Sequence, residues 1–232
     1  MNKHQGSTLV IVLVILVLIT LIGTMAVRTG IFGLRLATNS QIQALLLEST
    51  NAALFNLEDP DQIERQMAGD GMYSYFDSTH NANDELVFCY RASQRQFFSM
   101  QNASVITKDG SINKIGVNGF CKANQFATGR SAVLTQVYLK KVITDIDEEA
   151  FSNVAQGTSL GTTSEKLPVI NNSISATVIS ILPSFSSATN ANIEACFRRN
   201  GSEVSQCFKN LNIPFNTQHA DYIVGSQPKL VS

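Results

Sequence analysis

Leu9-Val-Ile-Val-Leu-Val-Ile-Leu-Val-Leu-Ile-Thr-Leu-Ile-Gly-Thr-Met-Ala-Val27 contains no charged residue, and only Thr20, Gly23 and Thr24 dilute its apolar character. As a helix it rises about 28 Å, close to the roughly 30 Å hydrocarbon core of a bilayer. The stretch is therefore predicted to be a membrane-inserted helix. A short polar leader, Met1-Asn-Lys-His-Gln-Gly6, stands in front of it, with Lys3 as its cation. Behind it, Met25-Ala-Val-Arg-Thr-Gly30 offers no Ala-x-Ala site, and the apolar run is long for a secretory signal core. Cleavage after the run is not expected, so the anchor stays on the chain.

The helical signal continues past Val27. Leu, Ala, Gln and Glu are frequent from Leu34 to Leu57, and no proline occurs before Pro60. Ile42, Leu46, Ala53 and Leu57 recur at helical spacing, with Leu45 and Ser49 in the same stripe. Asn39, Gln41, Gln43, Glu48 and Asn51 lie between them, which makes the segment amphipathic. Glu58-Asp-Pro-Asp61 is expected to end the helix, since proline disfavours helix in the residue before it. Gly30 and Gly33 weaken the helix just past the apolar run, each by roughly 1 kcal/mol relative to alanine.

Gln5-Gly-Ser-Thr-Leu9 resembles the processing site of the type IV pilin family. The resemblance implies cleavage between Gly6 and Ser7 by a membrane-embedded prepilin peptidase, followed by methylation of the new N-terminus at Ser7. Glycine permits close backbone approach to a protease. Within the family, Leu34-Arg-Leu-Ala-Thr-Asn-Ser40 and Glu48-Ser-Thr-Asn-Ala-Ala-Leu54 are similar to two stretches of the PilX-type minor pilins, with Thr38 in place of a usual glycine. Major pilins place a glutamate at the fifth mature residue; here that position is Ile11. The family's carboxylate is thought to neutralise the amine of the subunit added before it. Its absence suits a subunit with no predecessor, at the start of a fibre.

The resemblance thus implies an α+β, pilin-like fold, with a long N-terminal helix packed on an antiparallel sheet. The expected segments are a leader over 1–6, a membrane-spanning half over 7–28, an amphipathic half over 29–58 and a periplasmic head over 59–232. The implied function is a minor pilin that primes a type IV pilus and ends at or near its tip. Its implied partners are other minor pilins, the major pilin, a tip adhesin, the prepilin peptidase and the inner membrane. Alternatives are a type II secretion tip pseudopilin and a single-pass membrane sensor or binding protein with a periplasmic head.

Formal net charge is −1 and only 15 % of residues are charged, so no basic stripe suggests nucleic acid. Lys140-Lys141 and Arg198-Arg199 are isolated basic pairs, read as surface charge. Cys89, Cys121, Cys196 and Cys207 make an even set, which in an exported domain favours disulfides. Three pairings are open; Cys89–Cys121 and Cys196–Cys207 are preferred as nearest in sequence. Close Cys-x-x-Cys spacing is absent, which disfavours zinc.

In the head, strands are predicted over Glu85–Tyr90, Ser104–Thr107, Val133–Ile143 and Ile174–Leu182. Asp109-Gly110 and Asn118-Gly119 are expected to be hairpin turns, and Thr144–Pro168 a polar loop. Asn190–Phe197 and Ser202–Phe208 are expected to be short helices tied by the second disulfide. The histidines, His4, His80 and His219, show no metal-binding spacing, and no Gly-x-Ser-x-Gly elbow appears. No enzyme activity, metal or cofactor is expected. Two acidic groups, Asp59, Asp61 and Asp70, and Asp145, Asp147, Glu148 and Glu149, lack calcium-loop spacing.

Overall fold

The computed structural model describes residues 5–129, 132–142 and 169–228. The chain divides into two compact units, Met1–Ala44 and Leu45–Ser232. Helix α1, Gln5–Leu57, begins in the first and ends in the second. Several of its hydroxyl side chains are satisfied by the helix itself. Thr20 and Thr24 donate to the carbonyls of Val17 and Leu21, and Thr29 and Thr38 to those of Met25 and Leu34, all at 2.9 Å. Back-bonding of this kind removes the need for water around a hydroxyl.

The end of α1 is closed by its own continuation. Gln66 Nε2 donates to the Leu57 carbonyl at 2.9 Å, satisfying an acceptor that the helix end leaves open. Asp59 caps a second helix, α2 (Pro60–Met67), by accepting from the Asp61 amide at 3.1 Å. Pro60 therefore stops one helix and starts the next, where its missing N–H costs nothing. A third short helix, α3 (Met72–Asp77), buries Met72, Tyr73 and Phe76.

The head's sheet has five strands: β1 Glu85–Tyr90, β2 Ser104–Ile106, β3 Leu134–Lys141, β4 Val169–Ile181 and β5 Phe215–Pro228. Their spatial order is β2-β1-β3-β4-β5, with every neighbouring pair antiparallel. Helices α4 (Asn190–Phe197) and α5 (Gly201–Asn210) lie between β4 and β5 in sequence.

Both faces of this sheet are covered. On one, Leu86, Phe88, Val137, Leu139, Ala176 and Val178 share a core with Ala53 and Leu57 of α1 and with α3. On the other, Val87, Leu134, Tyr138, Ile179 and Ile181 pack under α4 and α5 through Ile193, Phe197, Val204 and Phe208. The buried stripe on α1 is Leu46, Ser49, Thr50, Ala53 and Leu57. Its polar members are partnered: a hydroxyl chain at 2.8 Å steps runs from Ser49 to Thr135 on β3 and on to Ser180 on β4. Gln136, on the face under α4 and α5, ties the end of α4 to the loop before β3. Its Nε2 donates to the Phe197 carbonyl at 2.7 Å, and its Oε1 accepts from the Cys121 amide at 2.8 Å.

The structure departs from the sequence-based expectation in four places. The α+β class with a long N-terminal apolar helix and an antiparallel sheet is present, but the C-terminal helices form a full second layer on the sheet. Strand β5 was not predicted; its twelve-pair register with β4 (Ile181↔Phe215 to Val169↔Pro228, shifted between Ile170 and Asn172) imposes extended structure on a polar sequence. Helices α2 and α3 were not predicted either. Neither Gly dipeptide joins two strands. At Asp109-Gly110 the chain turns tightly, with Gly110 at φ 79°, but returns into a loop. At Asn118-Gly119 the reason for glycine is space, since a Cβ on Gly119 would sit 2.1 Å from the Val87 carbonyl oxygen. The expected loop over 144–168 and the acidic group Asp145, Asp147, Glu148 and Glu149 lie outside the described residues.

Candidate functional site

In the first unit, the informative surface is that of α1. Gly6 and Ser7 lie in its first turns. Ile11 is 55 % exposed, and every large apolar residue assessed from Leu9 to Leu36 is likewise exposed, among them Leu16, Ile22, Met25 and Leu34. By length and composition this is the one helix among the described residues able to cross a membrane. The exposure does not stop where a spanning segment would. Leu34 is 69 % exposed and lies about two turns beyond Val27. Farther along α1, on its surface in the second unit, Leu47 is exposed and Phe55 is 73 % exposed.

The head holds two disulfides, Cys89–Cys121 and Cys196–Cys207. The first ties β1 to the loop before β3. The second ties α4 to α5, whose rings Phe197 and Phe208 meet edge to face at 4.9 Å. No free cysteine remains among the described residues. Asp59, Asp61 and Asp70 do not converge on a common point: Asp59 caps α2, and Asp70 forms a bidentate pair with Arg65. Asp84, nearly buried, instead accepts from the Tyr75 hydroxyl at 2.7 Å and from the Lys114 ammonium, which also donates to Asn81 at 2.8 Å. This pins the loop after β2 to the turn before β1. Burial, with the Asp84 carboxylate adding to it, raises the Tyr75 phenol well above its ordinary pKa.

One polar cleft of about 510 Å³ opens where the second sheet face runs out from under α5. Cross-strand register builds its floor: Glu85 on β1 stands opposite Lys140 on β3, which stands opposite Ser175 on β4. In the next row, Tyr138 stands opposite Thr177, which stands opposite His219 on β5. The start of α5 forms one wall, and the Thr107–Lys108 turn with Asn83 forms the other. Glu85 is held by a contact 116 residues away in sequence, its Oε2 accepting from the Gly201 amide at 3.0 Å. Asn200, in the N-cap position of α5, makes no side-chain cap. Glu85 therefore serves as the cap from another layer. Burial raises the Glu85 pKa, and the Gly201 amide and Lys140 offset part of that rise. Tyr138, fully buried beside it with its hydroxyl donating to the Phe197 carbonyl at 3.0 Å, is raised well above the ordinary phenol value by burial and by Glu85.

His219 brings together serine, threonine and aspartate side chains, but not in the arrangement of a catalytic triad. Its Nε2 lies 3.0 Å from Ser175 Oγ and its Nδ1 lies 2.9 Å from Thr177 Oγ1. Asp221 Oδ1 lies 3.7 Å from Nε2, the nitrogen already facing the serine. A triad needs the carboxylate on the other nitrogen, where it orients the ring as a base. The imidazole here is a brace between two hydroxyls. His80 lies exposed in a turn, away from the cleft lining.

None of the cleft residues was singled out from the sequence as a group. Rows across a sheet are set by strand register, and the key strand β5 was not read as a strand. Comparison with known protein families, with characterised proteins and with solved structures finds no match for this chain.

Proposed function

We propose that this protein is a minor pilin of the PilX type, which primes a bacterial type IV pilus and remains at or near its tip. The observation that carries this reading is the extent of apolar exposure along α1. Leu9–Val27 is enough to fill a bilayer, yet Leu34, Leu36, Leu47 and Phe55 beyond it are also exposed. Lipid cannot cover side chains that lie outside the hydrocarbon layer. Neighbouring helices in a fibre cover both stretches at once. A single-pass sensor needs only the first.

Ile11 supports the place in the fibre. An aliphatic side chain inserts into lipid or among helices without the cost that an intramembrane carboxylate carries. A subunit that never follows another needs no carboxylate to receive its neighbour's amine. On this reading the leader is removed between Gly6 and Ser7, Ser7 is methylated, and the head stays periplasmic until the helix is drawn from the inner membrane. The head then contacts other minor pilins, the major pilin and a tip adhesin. The two disulfides and the doubly covered sheet make it a rigid body for such contacts. No catalytic step is assigned to it.

The test is the protein's whereabouts. Sheared surface fibres should contain it in small amount relative to the bulk subunit, and deletion of its gene should sharply lower the number of fibres per cell. Full retention in the membrane fraction with unchanged fibre number would overturn the proposal.

A further inference from the structure

We propose that the polar cleft beside α5 is a binding site for neutral carbohydrate. The inference rests on the head alone and does not depend on the fibre reading. Its volume, about 510 Å³, falls within the range of small-ligand sites. The chemistry of its lining is unlike that of a site for apolar ligands. Ile106 and Tyr138, its large apolar members, are themselves buried, so the ligand meets hydroxyls, amides, amines and one carboxylate, together with the methyls and aliphatic stems of the threonines and lysines that carry them.

The hydroxyls are oriented before any ligand arrives. Ser175 and Thr177 point from the same face of β4, two residues apart, and His219 bonds to both at 3.0 and 2.9 Å. A neutral imidazole donates through one nitrogen and accepts through the other. The hydroxyl that receives the ring N–H keeps its own proton to donate into the cleft. Its neighbour gives its proton to the ring and keeps its lone pairs to accept. The braced pair thus offers one donor and one acceptor side by side, which matches the adjacent hydroxyls of a sugar. Glu85 adds an acceptor fixed by the Gly201 amide, and Lys140 adds a donor from the facing strand. Strand-mounted groups of this kind lose little freedom on binding.

Charge selects among hydrophilic ligands. Glu85 faces Lys140, Lys108 sits at the rim, and Asp221 lies just beyond His219. The balance is close to neutral, which favours neither a phosphate nor a polycation. With no exposed phenyl, phenol or indole ring on the floor, the ligand is held mainly by hydrogen bonds.

The test uses the full chain in an amine-oxide detergent, because sugar-headed detergents would compete. Labelled protein is applied to a printed panel of neutral and sialylated oligosaccharides, and the best ligand is then titrated by calorimetry. Saturable binding to a neutral oligosaccharide is expected, weakened at least tenfold in the S175A/T177V double variant. Thr217→Ala, at the exposed rim, should weaken it by a smaller factor, and Lys122→Ala, outside the cleft, should leave it unchanged. Circular dichroism checks that each variant is folded; if the double variant is not, Thr217→Ala and Ser202→Ala carry the test. Absence of any retained neutral glycan would overturn the assignment. So would equal affinity in the folded cleft variants, or displacement of the sugar by millimolar inorganic phosphate, which would mark an anion site.

Discussion

From Leu9 to Leu36, α1 exposes the large apolar side chains assessed, whereas the sheet of the head buries nearly all of its own under helices on both faces. The two regions use the same residue types for opposite ends. In the head, apolar burial is internal, and polar groups such as Ser49, Thr135, Ser180 and Gln136 find partners within the fold. In the first part of α1, Thr20, Thr24 and Thr29 bond back to their own helix. On the proposed reading, that apolar surface serves contacts with other helices, whereas the apolar surface of the head is used within the head.

The contrast predicts that substitutions will separate cleanly into two classes. The largest effect on stability should come from Phe197→Ala, which removes a fully buried ring packed on Phe208 and costs about 3–5 kcal/mol. Leu16→Ala, an equally apolar deletion in the exposed region, should change head unfolding by less than about 0.5 kcal/mol. Urea denaturation followed by near-ultraviolet circular dichroism compares the two. Similar losses for both would break the contrast.

Reduction of the disulfides should come next. Opening Cys89–Cys121, which closes a loop of sequence separation 32, should cost about 2–4 kcal/mol, and unfolding with and without a reductant measures it. Thr135→Val sharpens the comparison on the polar side. It strands the buried Ser49 and Ser180 hydroxyls and should cost about 1–3 kcal/mol, visible as a lower unfolding midpoint with an unchanged denaturant slope.

The smallest effect concerns pH. Because burial raises the Glu85 pKa in the folded state, the folded protein binds the proton more tightly than the unfolded chain does. The stabilisation from this group is complete below the ordinary glutamate value and is lost as pH rises through the elevated one. Glu85→Gln, which can still accept from the Gly201 amide, should flatten this component of the stability profile. A profile unchanged by the substitution would show that Glu85 is not desolvated as the structure has it.

How far the sequence foretold this division depends on whether the signal was local. The period of α1, its end before Pro60, strands β3 and β4 and helices α4 and α5 all stand out in short windows, through helical spacing, alternation and Asn-Gly punctuation. The disulfide pairs were the nearest in sequence, and the structure contains those two pairs. What was illegible was set by distant contacts. Asn216-Thr-Gln-His-Ala-Asp221 has little strand character, and β4 alone holds it extended. Asn200-Gly201 reads as a turn, yet its glycine also leaves room for the cleft, since a Cβ there would press on the Glu85 carboxylate and Tyr138, at 2.9 and 3.2 Å. The cleft combines both kinds of blindness, since its floor spans four strands and its clamp joins residues 116 apart. By contrast the exposed surface of α1 was legible as composition, and on the proposed reading its purpose is contact with other subunits.

The most direct measurement of that purpose is the N-terminal mass of the membrane-associated protein, with and without active prepilin peptidase. A minor pilin should begin at methylated Ser7 when the peptidase is present and at Met1 when it is absent. An intact Met1 in cells that retain the peptidase and make normal fibres would contradict the reading.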